Sequence, residues 1–223
     1  MITARARQAG WICLIGSGVG IVQGLLLMLL PPVSSPDRYS YPLSPIGHVI
    51  AEASFAVQHV LLLVGVVTLA RAQRGRATVV PRIGLWVGAA GLALLTIVEL
   101  IAMTAADVAA DSAYAATVSS LYAIPTLTTG AGLVVGGLGF LRSGTLPGGI
   151  IPRGWRRWVP LIIGGYVFVP LLPAIMAPFL FGRLAIMGWM ITFALLGWML
   201  IKPGEHAQES LDKISSRTLP ASA

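Results

Sequence analysis

The residues of this chain best suited to chemistry are titratable side chains that lie within apolar stretches. Residues 44–69 read SPIGHVIAEASFAVQHVLLLVGVVTL and hold His48, Glu52 and His59. On a helix these three side chains fall within about 40° of one another. Only one other apolar segment contains a charged side chain, Glu99. Carboxyl and imidazole groups placed together in an apolar setting predict a site that binds and releases protons.

Counting along the helices places the two acids at one depth. At 1.5 Å per residue, Glu52 lies about 9 Å inside the outer boundary of its span, and Glu99 ends about 9 Å inside the same boundary. Gln23 on the first span and Pro125 on the fourth fall at nearly the same level. We therefore expect one polar layer in the outer half of the bilayer. Its candidate proton- or substrate-binding residues are Gln23, His48, Glu52, His59, Glu99 and Tyr122.

Burial of these acids must be compensated. No lysine or arginine lies within the predicted spans to neutralise Glu52 or Glu99. An ionised side chain in lipid costs about 2.5–3.5 kcal/mol on insertion scales. The carboxyl groups are therefore expected to be protonated, to share protons with each other and the histidines, or to face a water-filled cavity. A purely structural interpretation stays open, in which two neutral carboxyl groups hydrogen-bond for packing specificity.

Six long apolar segments predict the fold class. The chain has 223 residues, of which 56% are hydrophobic and 10% charged, and its mean hydropathy is +0.85. Soluble domains carry about 25% charged residues, so an all-α, polytopic integral membrane protein is expected. We predict one transmembrane domain over residues 1–201 and a flexible polar tail over 202–223. The six predicted spans cover residues 10–30, 46–70, 83–105, 119–141, 159–181 and 184–201.

The basic residues predict the orientation of the chain. Placing both termini and the loops 71–82 and 142–157 in the cytoplasm puts 13 of the 15 Lys and Arg residues inside. Only Arg38 and Arg183 remain outside, as the positive-inside rule favours. We therefore expect a multi-pass protein of the plasma (inner) membrane with cytoplasmic termini. This distribution accounts for the net charge of +7, so the lipid bilayer, and no nucleic acid, is the expected partner.

Prolines and glycines predict how the helices bend and pack. Pro125 predicts a kink in the fourth span, and Pro170 and Pro173 predict a broken fifth span, because proline removes a backbone hydrogen bond. Glycines repeat every fourth residue on the first and fourth spans, a spacing that lets helices approach closely. This spacing allows packing within the chain or a homo- or hetero-oligomer. The glycines concerned are Gly16, Gly20, Gly24, Gly132 and Gly136.

These residues are compatible with three functions. A small transporter or proton-coupled permease fits the shared polar layer and the interrupted fifth span. A non-catalytic structural or regulatory subunit of a membrane complex fits the glycine faces. A metal-dependent intramembrane hydrolase is the third alternative, with Asp107 and Asp111 continuing the third helix and joining His48 and Glu52 around a cation.

Cofactors and catalysis find little support in the sequence. Bis-histidine haem needs facing ligands, and both intramembrane histidines lie on one span. A retinal Schiff base needs an intramembrane lysine, which the predicted spans lack. The chain has no H-E-x-x-H, G-x-S-x-G or P-loop motif. No cofactor is therefore expected, and the chain is not expected to be an enzyme. Arginine supplies 13 of the 15 basic residues, a bias we associate with GC-rich bacterial genomes.

Overall fold

The protein is a bundle of apolar helices. The computed structural model describes residues 2–72, 79–142, 154–175 and 179–201. Helices account for 87% of these residues, which contain no β-strand. Six helical segments in this part of the chain are long and apolar enough to cross a membrane. The prediction of an all-α fold with six candidate transmembrane spans is therefore confirmed.

The first three spans are single helices, and the next two are interrupted. The fourth span consists of α4 and α5, which break at Tyr122, and the fifth of a 3₁₀ turn, α6, a π-helical turn over Val167–Leu171, and α7. The helices are α1 (Ile2–Leu29), α2 (Pro45–Ala72), α3 (Val79–Ala102), α4 (Ala113–Leu121), α5 (Ala123–Arg142), α6 (Val159–Tyr166), α7 (Leu172–Ile175) and α8 (Phe179–Ile201).

Proline explains both interruptions. Pro125 lies in the first turn of α5 and has no amide hydrogen to donate to the preceding turn, so α4 ends at Leu121. Pro170 lies inside the π-helical turn of the fifth span, where one extra residue per turn accommodates the missing hydrogen bond. The fourth span is thus interrupted close to the predicted kink at Pro125, whereas the fifth span is helical throughout residues 154–175 and contains a π-helical turn in place of the predicted break.

The helices form a closed ring around an apolar core. Neighbours in the ring are α1 and α2, α2 and α3, α3 and α5, α5 and α6, α6 and α8, and finally α8 and α1. Side chains in the centre are fully buried, which holds the ring together by dispersion and close packing rather than by polar contacts. They include Leu62, Leu92, Leu133, Phe193 and Leu196.

The glycine faces are used inside this ring. On α1, Gly16 and Gly20 face Gln58 of α2, and Gly24 faces Met187 of α8. On α5, the two glycines of the predicted face pack against α3, Gly132 onto Gly84 and Gly88, and Gly136 onto Leu85. The predicted close approach of helices is therefore found within one chain, and the use of these glycines for an oligomer stays a prediction.

The predicted boundary between the fifth and sixth spans was wrong. Helix α8 begins at Phe179 and its candidate span at Leu180 rather than at residue 184, because these apolar residues belong to one helix with Arg183. The described part of the fifth span extends to Ile175, and residues 179–181, which were predicted to complete it, lie in α8. These shifts bring an arginine into a span, which the sequence analysis excluded.

The segment after the third span also differs from its prediction. Helix α3 ends at Ala102 and continues only as a 3₁₀ turn over Met103–Ala105. Asp107 and Asp111 therefore lie in turns and do not continue the helix. The Ser112 hydroxyl then accepts a hydrogen bond from the Ala115 amide and caps α4. The predicted tail 202–223, together with Arg74, Arg76, Arg153 and His206, lies outside the described residues.

Candidate proton site

Two carboxyl groups from different helices meet at one tyrosine hydroxyl. Glu52 lies on α2, Glu99 on α3, and Tyr122 in the break between α4 and α5. The Tyr122 hydroxyl is 2.6 Å from Glu99 Oε2 and 3.3 Å from Glu52 Oε2. The Glu99 carboxyl group also interacts electrostatically with that of Glu52. The predicted common layer of Glu52, Glu99 and Tyr122 is therefore found as a direct contact.

The geometry of this cluster favours a pair that holds one proton. The Tyr122 hydroxyl has one hydrogen and can donate to only one carboxyl group at a time. Two ionised carboxylates around one hydroxyl would repel each other in an apolar setting, and binding of one proton removes this repulsion. The arrangement therefore suits a carboxyl–carboxylate pair that shares one proton.

The two histidines flank the carboxyl pair on opposite sides along α2. His48 Nδ1 lies 3.7 Å from Glu52 Oε1, and His59 Nδ1 lies 3.5 Å from Glu99 Oε1. His48 Nε2 is 3.2 Å from the Ala102 carbonyl. Since a carbonyl only accepts, Nε2 carries a hydrogen, and Nδ1 is the nitrogen that faces Glu52. The sequence put Glu52 and His59 too far apart to touch, and Glu99 is the group that connects them.

Arg183 is the functional residue that the sequence analysis missed. This partly buried guanidinium interacts electrostatically with Glu52, Glu99 and Tyr122. One arginine balances the single negative charge of a carboxyl pair that retains one proton, which lowers the cost of holding the pair in the apolar bundle. The missed signal was the apolar sequence on both sides of Arg183, FLF before it and LAIM after it.

Tyr39 covers the same site from the connection between α1 and α2. Its ring packs edge-on against His48, with the centroids 5.5 Å apart, and its hydroxyl interacts with Ser119. Burial raises the pKa of the Tyr39 phenol, and the charges of Glu52 and Glu99 raise it further. The pKa of Tyr39 therefore depends on the charge of the carboxyl pair, although Tyr39 lies outside the spans.

A short backbone clasp holds Tyr39 in this position. The connection between α1 and α2 forms an isolated antiparallel bridge, Arg38 to Ala109, with the connection between α3 and α4. The Tyr39 amide donates to the Val108 carbonyl at 2.9 Å, and Arg38 Nη1 donates to the Asp107 carbonyl at 2.7 Å. The clasp thus joins the two connections directly above the carboxyl pair.

Three other predicted residues do not join the carboxyl pair. Gln23 on α1 donates from Nε2 to the Ala51 carbonyl at 2.6 Å, and its buried Oε1 has no hydrogen-bond partner. It is therefore bonded to the backbone beside Glu52. Asp107 and Asp111 are exposed. Within the described ranges no group of three or more His, Cys, Asp or Glu side chains is arranged to hold a metal ion, so the expected grouping of these aspartates with His48 and Glu52 is not formed.

Comparisons with known proteins identify no relative from which a function could be inferred. No family model matches the chain, and no curated protein or solved structure matches it. Inferences about function therefore depend on the arrangement of the side chains.

Proposed function

We propose that the protein is a small proton-coupled transporter in which Glu52 and Glu99 bind and release the coupling proton. The observation that supports this proposal is the single Tyr122 hydroxyl bridging two carboxyl groups that belong to separate helices. A proton held between two helices couples its binding to their relative position, because loss of the proton turns an attraction into a repulsion. Such coupling is what a proton-driven transporter requires.

Ionisable groups inside membrane proteins commonly mark ion or proton pathways. Here the carboxyl pair adjoins a fourth span that breaks at Tyr122, and the ring also contains a fifth span with a π-helical turn. Interrupted helices can rearrange at lower cost than continuous ones, and they line the central sites of many transporters. We propose that movement around these two breaks accompanies proton binding and release.

The test uses purified protein in liposomes that contain a pH-sensitive dye. Panels of organic anions, organic cations and neutral solutes are added under an imposed pH gradient, and the internal pH is followed. We expect a solute-dependent change with the wild type, a loss of at least about tenfold in rate with Glu99→Gln or Glu52→Gln, and no loss with Asp111→Asn. Equal rates in the wild type and both glutamine variants would contradict proton coupling through this pair.

The arginine distribution supports an orientation for this transporter. We propose that both termini are cytoplasmic and that the carboxyl pair faces the outer half of the plasma membrane, because 13 of the 15 basic residues then lie inside. Single cysteines placed at Asp37 and Asp111 in a Cys13→Ala background provide the test. Both should react with an impermeant thiol reagent added to intact cells, and protection of both would reverse the orientation.

A non-catalytic subunit of a membrane complex is the second candidate function. The observation that favours it is the electrostatic interaction of Arg183 with both carboxyl groups, which offsets the negative charge of the pair. Such a cluster can act purely in packing. This alternative predicts that Glu52→Gln and Glu99→Gln change thermal stability but no flux, and that the protein is isolated with a stable partner.

A further inference from the structure

We infer that five side chains form a single proton path, which begins at His48, crosses between the carboxyl groups through Tyr122, and ends at His59. The inference rests on the proposed function and assigns the route by which its proton arrives. Consecutive groups along the path are separated by short gaps. These are 3.7 Å from His48 to Glu52, 3.3 Å from Glu52 to Tyr122, 2.6 Å from Tyr122 to Glu99 and 3.5 Å from Glu99 to His59.

Exposure gives the path its direction. The side chains of His48 and Glu52 are 9% and 13% exposed, whereas those of His59 and Glu99 are 8% and 6% exposed. Glu52 is thus the more accessible carboxyl group, and Glu99 the deeper one. His48 lies beside Glu52 and packs against Tyr39, whose backbone amide belongs to the clasp. The path therefore receives protons at the Glu52 end.

His59 gives independent support for the deep end of the path. This residue is 6% exposed, and its Nδ1 atom has no hydrogen-bond partner. The atom faces Glu99 Oε1 at 3.5 Å, in a geometry that falls short of a hydrogen bond. A buried imidazole nitrogen without a hydrogen-bond partner costs free energy, and a role in proton transfer explains why it is retained. It is positioned to accept a proton from Glu99.

Tyr122 can pass a proton without a net change in its own protonation. Protonated Glu52 transfers its proton to the Tyr122 oxygen while the Tyr122 O–H transfers its proton to the Glu99 carboxylate. One O–H bond breaks at Glu52, one forms and one breaks at Tyr122, and one forms at Glu99. Glu52 becomes the carboxylate and Glu99 the acid, so the negative charge moves from Glu99 to Glu52. The hydroxyl then rotates back to its first orientation.

The path stops at an apolar layer. Beyond His59 on α2, Leu62, Val66 and Leu69 are fully buried, and Leu92 and Leu133 of the neighbouring helices belong to the same core. These side chains offer a proton no acceptor. In this conformation the carboxyl pair is therefore open to protons from one side only. This arrangement prevents a proton leak, and release to the other side requires the helices to rearrange.

Two further titratable groups face the path, one on α8 and one in the connection between α1 and α2. Arg183 on α8 interacts with both carboxyl groups and with Tyr122, and Tyr39 interacts with both carboxyl groups. Neither is a link in the path. Replacing them is expected to change how strongly the proton is held, without changing the order in which the groups receive it.

The test follows hydrogen–deuterium exchange at each carboxyl group of the full chain in liposomes. Infrared spectroscopy detects the carbonyl stretch of a protonated carboxyl group, and the Glu52→Gln and Glu99→Gln spectra assign the bands of the two forms of the pair, in which the shared proton is on Glu99 or on Glu52. After transfer to D₂O, Tyr122→Phe should slow deuteration of Glu99 on the order of a hundredfold and leave Glu52 unchanged. His59→Asn, at the deep end, should alter neither rate.

A second variant protects the test against misfolding of Tyr122→Phe. Glu52→Gln also lies before Glu99 on the path and should slow Glu99 deuteration to a similar extent. An unchanged Glu99 rate in either variant, or slowing by His59→Asn, overturns the path. If the exchange order holds while flux is independent of both glutamates, the path stands and the transporter proposal fails. If flux depends on the glutamates while the exchange order is lost, the transporter stands and the path fails.

Discussion

The two halves of α3 pack in opposite ways. In the half near Val79, Gly84, Gly88 and Gly91 lie against α5, close to its main chain and to the side chains of the residues they face. In the half near Ala102, Glu99 enters a polar contact with groups from α2 and from the break between α4 and α5. One half is bound by close contact of main chains, and the other by hydrogen bonds between side chains.

The glycine half determines what the polar half can do. Helices α3 and α5 are antiparallel, with Gly84 opposite Gly136 and Gly91 opposite Thr129. Extending this register by two turns places Glu99 opposite Tyr122. The contact between the carboxyl group and the hydroxyl is therefore a consequence of the glycine register. Disturbing the glycine half should affect both stability and the site, whereas disturbing the polar half should affect mainly the site.

The largest expected effect comes from Gly132→Ala in the glycine half. A Cβ at this position would lie 2.8 Å from Gly88 Cα and 2.7 Å from the Gly84 carbonyl oxygen, so the backbones must separate. We expect a loss of about 1–3 kcal/mol in unfolding free energy and a weakened contact between Tyr122 and Glu99. Gly165→Ala on α6 is the control, because nothing lies within 4 Å of its Cβ. Thermal unfolding in detergent measures the stability of both variants. Equal melting temperatures would show that the glycine half of α3 does not depend on close contact with α5.

The second prediction concerns the polar half and uses a double-mutant cycle. Tyr122→Phe and Glu99→Leu remove the two partners of the 2.6 Å hydrogen bond. Each single variant leaves the other partner buried and unpaired, whereas the double variant leaves neither. We expect a coupling free energy of about 0.5–3 kcal/mol from unfolding measurements. The control cycle combines Tyr122→Phe with Thr96→Val, because the Thr96 hydroxyl donates to the Leu92 carbonyl of its own helix. In this cycle the two changes in unfolding free energy should be additive.

The fold was largely predictable from the sequence because lipid imposes a length on each apolar segment. Runs of about 20 residues must cross as helices, since the bilayer offers no partner for unpaired backbone groups. The common depth of Glu52 and Glu99 was predictable for a related reason, because helices rise by a fixed distance per residue. Counting could not show whether the two carboxyl groups approach each other, since that depends on how α2 and α3 are rotated.

What was not predictable lies at the ends of the helices. Arg183 was placed outside the bundle because a charge usually marks the end of a span, yet Phe179 begins the helix before it. Tyr39 approaches the site through the clasp between two connections, which depends on tertiary hydrogen bonds that no local pattern encodes. Asp107 and Asp111 kept helical spacing, but the turns after Met103–Ala105 redirect the chain.

The third prediction tests how firmly α4 holds Tyr122. Ser112 caps this nine-residue helix by accepting a hydrogen bond from the Ala115 amide at 3.1 Å. Ser112→Ala should lower the unfolding free energy by about 1 kcal/mol, and Ser112→Gly by only a few tenths. Ser120→Ala is the control on the same helix, because the Ser120 hydroxyl donates only to Thr117 within the helix. A Ser112→Ala loss no larger than that of Ser120→Ala would show that the cap contributes nothing.

The smallest expected effect at neutral pH is that of Tyr39→Phe, and it grows at alkaline pH. The pKa of the Tyr39 phenol is raised by burial and by the nearby carboxyl groups, whereas in the unfolded chain it is about 10. Above about pH 10 the unfolded state releases this proton and the folded state retains it, so stability falls as pH rises toward the folded pKa. Below pH 10 this contribution is fully present. The wild type should therefore lose stability between about pH 10 and 11.5 more steeply than Tyr39→Phe, as measured by thermal unfolding in detergent. Parallel curves would show that the phenol titrates in the folded protein as it does in the unfolded chain, and that the clasp does not shield it.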